Sequence, residues 1–192
     1  MDLQYKLPKN LMKWVDSNRD RLSPPVCNAA VFPDSNYIIN MVGGGNQRTD
    51  FHDNPTEEIF YQIKGEAHLI TWDRGRFGRI DLKEGDIFLQ PAHLIHSPQR
   101  ADPHGLCLLI ELPRPQGALD ALQWYCAHCG TEIWKAEKQL ESLVDDLPKV
   151  YAQFYAVPEK DRVCPNCGTQ HPGKDYTIWH DQLSRSKALG TP

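Results

Sequence analysis

Two short segments of metal-ligating side chains most restrict what this chain can fold into. They lie far apart in sequence yet offer a single compatible ligand set. The first runs Asp50-Phe51-His52, five residues, Glu58, six residues, Gly65. The second runs Gly85, five residues, Pro91-Ala92-His93, two residues, His96, three residues, Arg100. Two imidazoles and one carboxylate suit a mononuclear non-haem iron(II) centre that leaves coordination positions open for substrate and O₂. Strands of a small barrel point alternate side chains inward, so groups on antiparallel neighbours can converge on one ion.

The remaining pattern fits such a barrel. Residues 37–42, 58–63, 67–72, 78–82, 86–89 and 107–112 are short β-type runs. Gly43-Gly44-Gly45, Lys64-Gly65, Asp73-Arg74-Gly75 and Lys83-Glu84-Gly85 break them. Many strands of this length at regular turn spacing predict an all-β sandwich or barrel. In this reading His52 lies where loop passes into strand, Glu58 begins a strand, and His96 follows the strand ending near Pro91. Residues 8–22 space Leu11, Trp14, Val15 and Leu22 as an amphipathic helix with Asn10 as its cap, ended by Pro24-Pro25.

Beyond Pro113–Gly117 the composition shifts. Cys126, Cys129, Cys164 and Cys167 form two CxxC pairs, each followed by glycine. That doubling is the spacing of a tetrathiolate metal site, iron or zinc, more than of a disulfide framework. Residues 133–137 read as a strand, and 147–154 as a short helix with Pro148 in its first turn. The chain therefore divides into residues 1–117, a catalytic barrel with its helix, and 118–192, a metal-stapled extension whose tail from about Ser184 is polar and frays. Of the other two cysteines, Cys107 sits in an apolar run and reads as a small buried hydrophobe, while Cys27 takes no assignment.

A net charge of −4 over 192 residues leaves no basic footprint for nucleic acid. The N-terminus lacks the apolar run of a secretory signal, and no stretch is long enough for a membrane span. A soluble, cytoplasmic protein is the expectation. The other histidines, His68, His104, His128, His171 and His180, read as surface or satisfied core residues. Spacing alone does not separate His93 from His96, or Glu57 from Glu58, as ligands.

The two segments resemble the two motifs of the cupin superfamily, a small β-barrel or jelly-roll fold. The common first motif has His-x-His before its glutamate; here Asp50 stands in the first histidine's place, which leaves three ligands of four. In the second motif His93 takes the glycine position and His96 the ligand position. Arg48-Thr49-Asp50-Phe51-His52, Glu57–Gln62, Leu82–Phe88 and His96–Arg100 are similar, more closely, to the 3-hydroxyanthranilate 3,4-dioxygenase family. Trp124–Gly130 and Cys164–Gly168 resemble the rubredoxin-type iron site of its short microbial members.

The resemblance, spanning roughly residues 8 to 173, implies a mainly β cupin fold and a homodimer. It makes His52, Glu58 and His96 the ligands of a catalytic Fe(II), and gives Arg48, Arg100 and Glu111 contact with substrate. Arg100, aided by Arg48, would anchor a carboxylate, and Glu111 would orient an amino group or take a hydroxyl proton. The implied reaction opens the ring of 3-hydroxyanthranilate with O₂ to 2-amino-3-carboxymuconate semialdehyde, the precursor of quinolinate and NAD. Because extradiol cleavage returns its electrons within one turnover, the tetrathiolate site is expected to be structural or an iron store.

Overall fold

The computed structural model describes residues 7–24, 27–140 and 143–189. The readings of residues 1–6, of Pro25 and of the last three residues of the tail lie outside them. A short helix α1 (Leu11–Asp16) is followed by β1 (Asn28–Ala30), β2 (Ile38–Gly43), β3 (Asp50–Asp53) and β4 (Glu58–Lys64). Then come β5 (Ala67–Asp73), β6 (Arg76–Leu82), β7 (Ile87–Gln90), β8 (Ile95–Gln99) and β9 (Leu106–Glu111). The chain continues through β10 (Asp120–Tyr125), β11 (Glu132–Lys138), α2 (Leu143–Ala156) and α3 (Tyr176–Ser184).

The strands form two antiparallel sheets, β1-β2-β9-β4-β7 and β11-β10-β3-β8-β5-β6. Their inner faces share one core, in which Val42, Phe60, Cys107 and Leu109 of the first sheet meet Ala67, Leu69 and Leu82 of the second. The protein is a mainly β sandwich of two sheets with few helices.

Period-two alternation sets what points inward. In β4, Glu58, Phe60 and Gln62 are buried while Tyr61 is exposed; in β9, Cys107, Leu109 and Glu111 are buried. Two carboxylates thus ride on the inner face of one sheet. The β5–β6 hairpin turns at Arg74-Gly75, both at positive φ (48° and 82°), as a two-residue primed turn requires.

Several expectations change. The first helix covers only Leu11–Asp16 of the 8–22 span. Asn10 does cap it, accepting from the Lys13 amide. Beyond it, Ser17 and Asn18 bond back to the carbonyls of Lys13 and Trp14, which draws the chain into turns. His52 and His96 lie within strands of their own, β3 and β8. Helix α2 begins four residues before Leu147, so Pro148 lies inside it and not in its first turn. The polar tail does not fray at Ser184: Ala188 is buried, and its carbonyl accepts from the Phe77 amide at 2.8 Å. Helix α3, unanticipated, is capped by Asp175 and buries Trp179 and Leu183 against Phe51, Phe77 and Tyr125.

The division expected at 117/118 falls between β9 and β10. Strand β10 pairs with β3, Leu122 standing opposite His52, and with β11 on its other side. Helix α2 packs on this flank through Phe154, whose ring stacks on Trp124 with centroids 4.3 Å apart.

Candidate active site and thiolate centre

A cavity of about 620 Å³ opens between the sheets. Arg48, Asp50, His52, Glu58, His96, Arg100 and Glu111 all line it, together with Cys27 and, from α2, Tyr151 and Tyr155. Register explains the gathering. Glu58 stands opposite Glu111 across β4 and β9, and His52 opposite His96 across β3 and β8. One sheet supplies carboxylates and the other imidazoles.

Glu58 and His96 are almost wholly buried, with His96 Nε2 3.6 Å from Glu58 Oε2. His96 Nδ1 donates to the Leu94 carbonyl at 2.9 Å, which leaves Nε2 as the lone-pair nitrogen facing the carboxylate. Burial, helped by neighbouring His52, pushes the His96 imidazole down to about 3, so the ring is neutral. Burial and then the Glu111 carboxylate push Glu58 well above the usual carboxylate range. Arg100, Arg114 and a hydrogen bond from Asn54 offset this only in part. A cation between a neutral imidazole and a desolvated carboxylate satisfies both, so the donor set fits a divalent metal.

His52 shares the cavity wall, its ring centroid 5.7 Å from that of His96. Its Nε2 lies 2.7 Å from Asp120 Oδ1. The three side chains do not all draw to within 4.8 Å of one another; among the described residues, only the four cysteines do so as a group of potential ligands.

The two arginines differ. Arg48 Nε donates to Asp50 Oδ2 at 2.8 Å, its Nη2 bonds Asp50 and the Tyr151 hydroxyl, and its guanidinium lies over the Tyr151 ring. Burial disfavours its charge, but Asp50 more than compensates. Asp50, standing where the cupin motif places a histidine, thus holds an arginine. Arg100 is buried with no side-chain hydrogen bond or ion pair among the described residues, and burial lowers its pKa. Glu111 Oε2 accepts from Asn54 Nδ2 at 3.1 Å and from Arg114 Nη1 at 2.8 Å.

Asn54, Gln90, Arg114, Asp120 and Tyr151 were not singled out in the sequence. Arg114 sits in the Pro113–Gly117 segment read as a composition shift, and only its flanking prolines set it apart. Cys27, buried at the cavity wall, has its backbone at φ 53°. His93 likewise adopts φ 63°, as its glycine position in the motif demands.

In the second centre each CxxCG turn repeats one geometry. The Cys126 and Cys164 amides donate to Thr131 and Thr169, while Gly130 and Gly168 amides donate back to the cysteine carbonyls. Sulfur pairs Cys126–Cys167 and Cys129–Cys164 stand 3.6 and 3.5 Å apart. Those separations exceed a disulfide's roughly 2.05 Å. They approach the edge of about 3.8 Å that metal–sulfur bonds of about 2.3 Å give a tetrahedron. The cluster can hold a metal ion.

Comparison with known proteins places the chain among its relatives. The sequence profile of the 3-hydroxyanthranilic acid dioxygenase family matches residues 4–155. A 3-hydroxyanthranilate 3,4-dioxygenase of Cupriavidus pinatubonensis is 50% identical over 184 residues, covering 96% of this chain and 97% of that protein. The protein of that name from Brucella anthropi is 51% identical over 168 residues, 86% of this chain and 92% of that one. Among solved structures, a cupin-2 domain protein of Shewanella frigidimarina overlaps 52% of this chain and 91% of its own, at 17% identity and a TM-score of 0.40. With a match over most of its length and half its residues shared with such relatives, this chain belongs to the 3-hydroxyanthranilic acid dioxygenase family.

Proposed function

We propose that this protein is a non-haem Fe(II) dioxygenase that opens the aromatic ring of 3-hydroxyanthranilate with O₂, giving 2-amino-3-carboxymuconate semialdehyde. The observation that carries the reading is Arg100, a buried guanidinium without a protein partner among the described residues, in the same cavity as Glu58 and His96. A buried cation left unpaired is costly, and an aromatic carboxylate supplies its missing charge.

His52, Glu58 and His96 are the side chains that would hold the iron. Bound there, Fe(II) would supply the Lewis-acid and electron-transfer chemistry that lets an electron-rich ring react with dioxygen. The protein's residues do the rest. Arg100 presents its whole fork to the substrate carboxylate, while Arg48, already committed to Asp50 and Tyr151, adds a second cationic edge. Together they fix which ring bond faces oxygen. Glu111 has one oxygen engaged by Asn54 and Arg114; its other oxygen accepts from the substrate amino group or takes the hydroxyl proton.

In this reading residues 1–117 supply the ligands, and 118–192 form a metal-stapled extension that closes one side of the cavity through Tyr151 and Tyr155. Iron or zinc at the four thiolates has a structural or storage role. The enzyme acts in the cytoplasm as a homodimer, and the exposed Ile87 and Leu89 on edge strand β7 support an association face. Sedimentation equilibrium tests the dimer.

The decisive assay uses anaerobically purified, Fe(II)-loaded protein mixed with 3-hydroxyanthranilate and air. Near-ultraviolet absorbance of the semialdehyde is the expected result. No product from fully loaded protein overturns the assignment.

A further inference from the structure

Behind the cavity wall lies a buried chain of charged groups that joins the two sheets. Arg114, its side chain only 5% exposed, donates Nη1 to Glu111 Oε2 at 2.8 Å. The other edge of its fork bonds Asp120, Nε to Oδ2 at 3.0 Å and Nη2 to Oδ1 at 2.9 Å. Asp120 Oδ1 in turn accepts from His52 Nε2 at 2.7 Å. Thr56 Oγ1 and the Leu112 carbonyl, both at 3.3 Å from Nη1, complete the guanidinium's surroundings. Neither Arg114 nor Asp120 lines the cavity, whereas Glu111 and His52 both do.

We propose that Arg114 is a positioning residue that yokes Glu111 on β9 to His52 on β3, acting on His52 through Asp120. The inference rests on the functional reading above, in which Glu111 faces substrate and His52 holds metal. Three physical arguments carry it. An arginine fork meets two carboxylates at fixed angles, which the single point charge of a lysine cannot do. A carboxylate accepting the Nε2 proton of an imidazole fixes its tautomer and leaves Nδ1 as the lone-pair atom. Two buried anions flank Arg114 and hold it charged, so removing the fork leaves both uncompensated.

The test uses the full-length, iron-loaded protein with Arg114→Lys and Asp120→Asn. Iron retention is read by competition with a chelator, substrate affinity by anaerobic titration with 3-hydroxyanthranilate, and folding by thermal unfolding. Arg114→Lys is expected to weaken iron retention and substrate affinity about tenfold or more each, in protein that remains folded. Asp120→Asn, which keeps the shape and loses the charge, is expected to weaken iron retention about tenfold and leave substrate affinity within about threefold. The double variant should retain iron no worse than Arg114→Lys alone, because both act on one chain of contacts.

Wild-type iron retention and affinity in Arg114→Lys would overturn the proposal, as would losses that simply add in the double variant. If Arg114→Lys does not fold, Asp120→Asn decides: unchanged iron retention there overturns the yoke. Failure of the wild-type protein to bind 3-hydroxyanthranilate would instead strike the functional reading, and the iron-retention arm would still report on Asp120 and His52.

Discussion

Glu58 and Glu111 stand directly opposite one another on β4 and β9, both buried and both facing the same cavity. Two carboxylates so placed repel unless cations intervene. Arg114 answers Glu111 from behind the wall, and Glu58 is left facing His96. That asymmetry suits the two proposed roles: one carboxylate is held by an arginine, and the other faces a neutral imidazole.

Arg100→Ala should weaken binding of the substrate carboxylate far more than it slows bound substrate. A charge-assisted contact of about 1.5–3 kcal/mol corresponds to a loss of roughly 10- to 150-fold in affinity. Anaerobic titration and steady-state KM on iron-loaded protein measure it. Arg100→Lys should recover only part of the loss, since it keeps charge without the fork.

Acid should destabilise the extension through His171. Burial, with Arg162 nearby, pushes its imidazole down to about 3 in the folded state. The unfolded chain binds the proton from about pH 6.5 downward, so its stabilising contribution is present above that value and is lost as pH falls toward 3. Linkage gives a loss of about 2 kcal/mol between about pH 7 and pH 5. Urea unfolding of wild type and His171→Gln at those pH values checks it. The variant should show a shallower pH slope.

Cys126→Ser should lower metal content and thermal stability while leaving turnover per catalytic iron close to wild type. Metal analysis, thermal unfolding and the semialdehyde assay together report the outcome. Lost turnover with fold and catalytic iron intact would assign the thiolates a part in the chemistry.

The two CxxCG glycines should respond differently to a methyl group. Both adopt positive φ, 73° at Gly130 and 72° at Gly168. A Cβ at Gly130 would fall 2.2 Å from Trp72 Cη2, whereas one at Gly168 meets nothing within 4 Å. Gly168→Ala should cost about 1 kcal/mol of backbone strain, and Gly130→Ala that plus overpacking of about 1–3 kcal/mol. Melting temperatures of the two variants, with bound metal measured, make the comparison.

Much of this architecture is readable in the residues. Alternation and glycine turns mark β4, β5 and β6, because each strand has one wet and one dry face. The pattern goes silent where that condition fails. Strand β10 is buried along its whole length, so it carries no alternation. Strand β3 has one apolar residue, Phe51, among three polar or ligating ones, and β8 contains Pro98, a residue that argues against a strand. Pro98 stands opposite Leu69 of β5, while β8 meets β3 only at His96. Helix α3 offers two buried residues, Trp179 and Leu183, too few for a clear stripe.

The same limit governs the site. The spacing of His52, Glu58 and His96 is a local property, so sequence carries it. The bond from Asp120 to His52 depends on how β10 registers against β3, which no local pattern encodes. Arg48 was legible as a charge, but its engagement by Tyr151 needed α2 folded back across the opening.

Strand β10 gives the C-terminal third of the chain a bearing on the first imidazole. Its hydrogen bonds fill the outer edge of β3, the strand that carries His52. Severing the chain after Gly117 would strip that edge of its partner and leave raw amide and carbonyl groups beside a would-be iron ligand. A shortened barrel would therefore tend to recruit foreign strands, and loss of the cysteine-rich segment would be felt at the cavity wall that His52 helps to form.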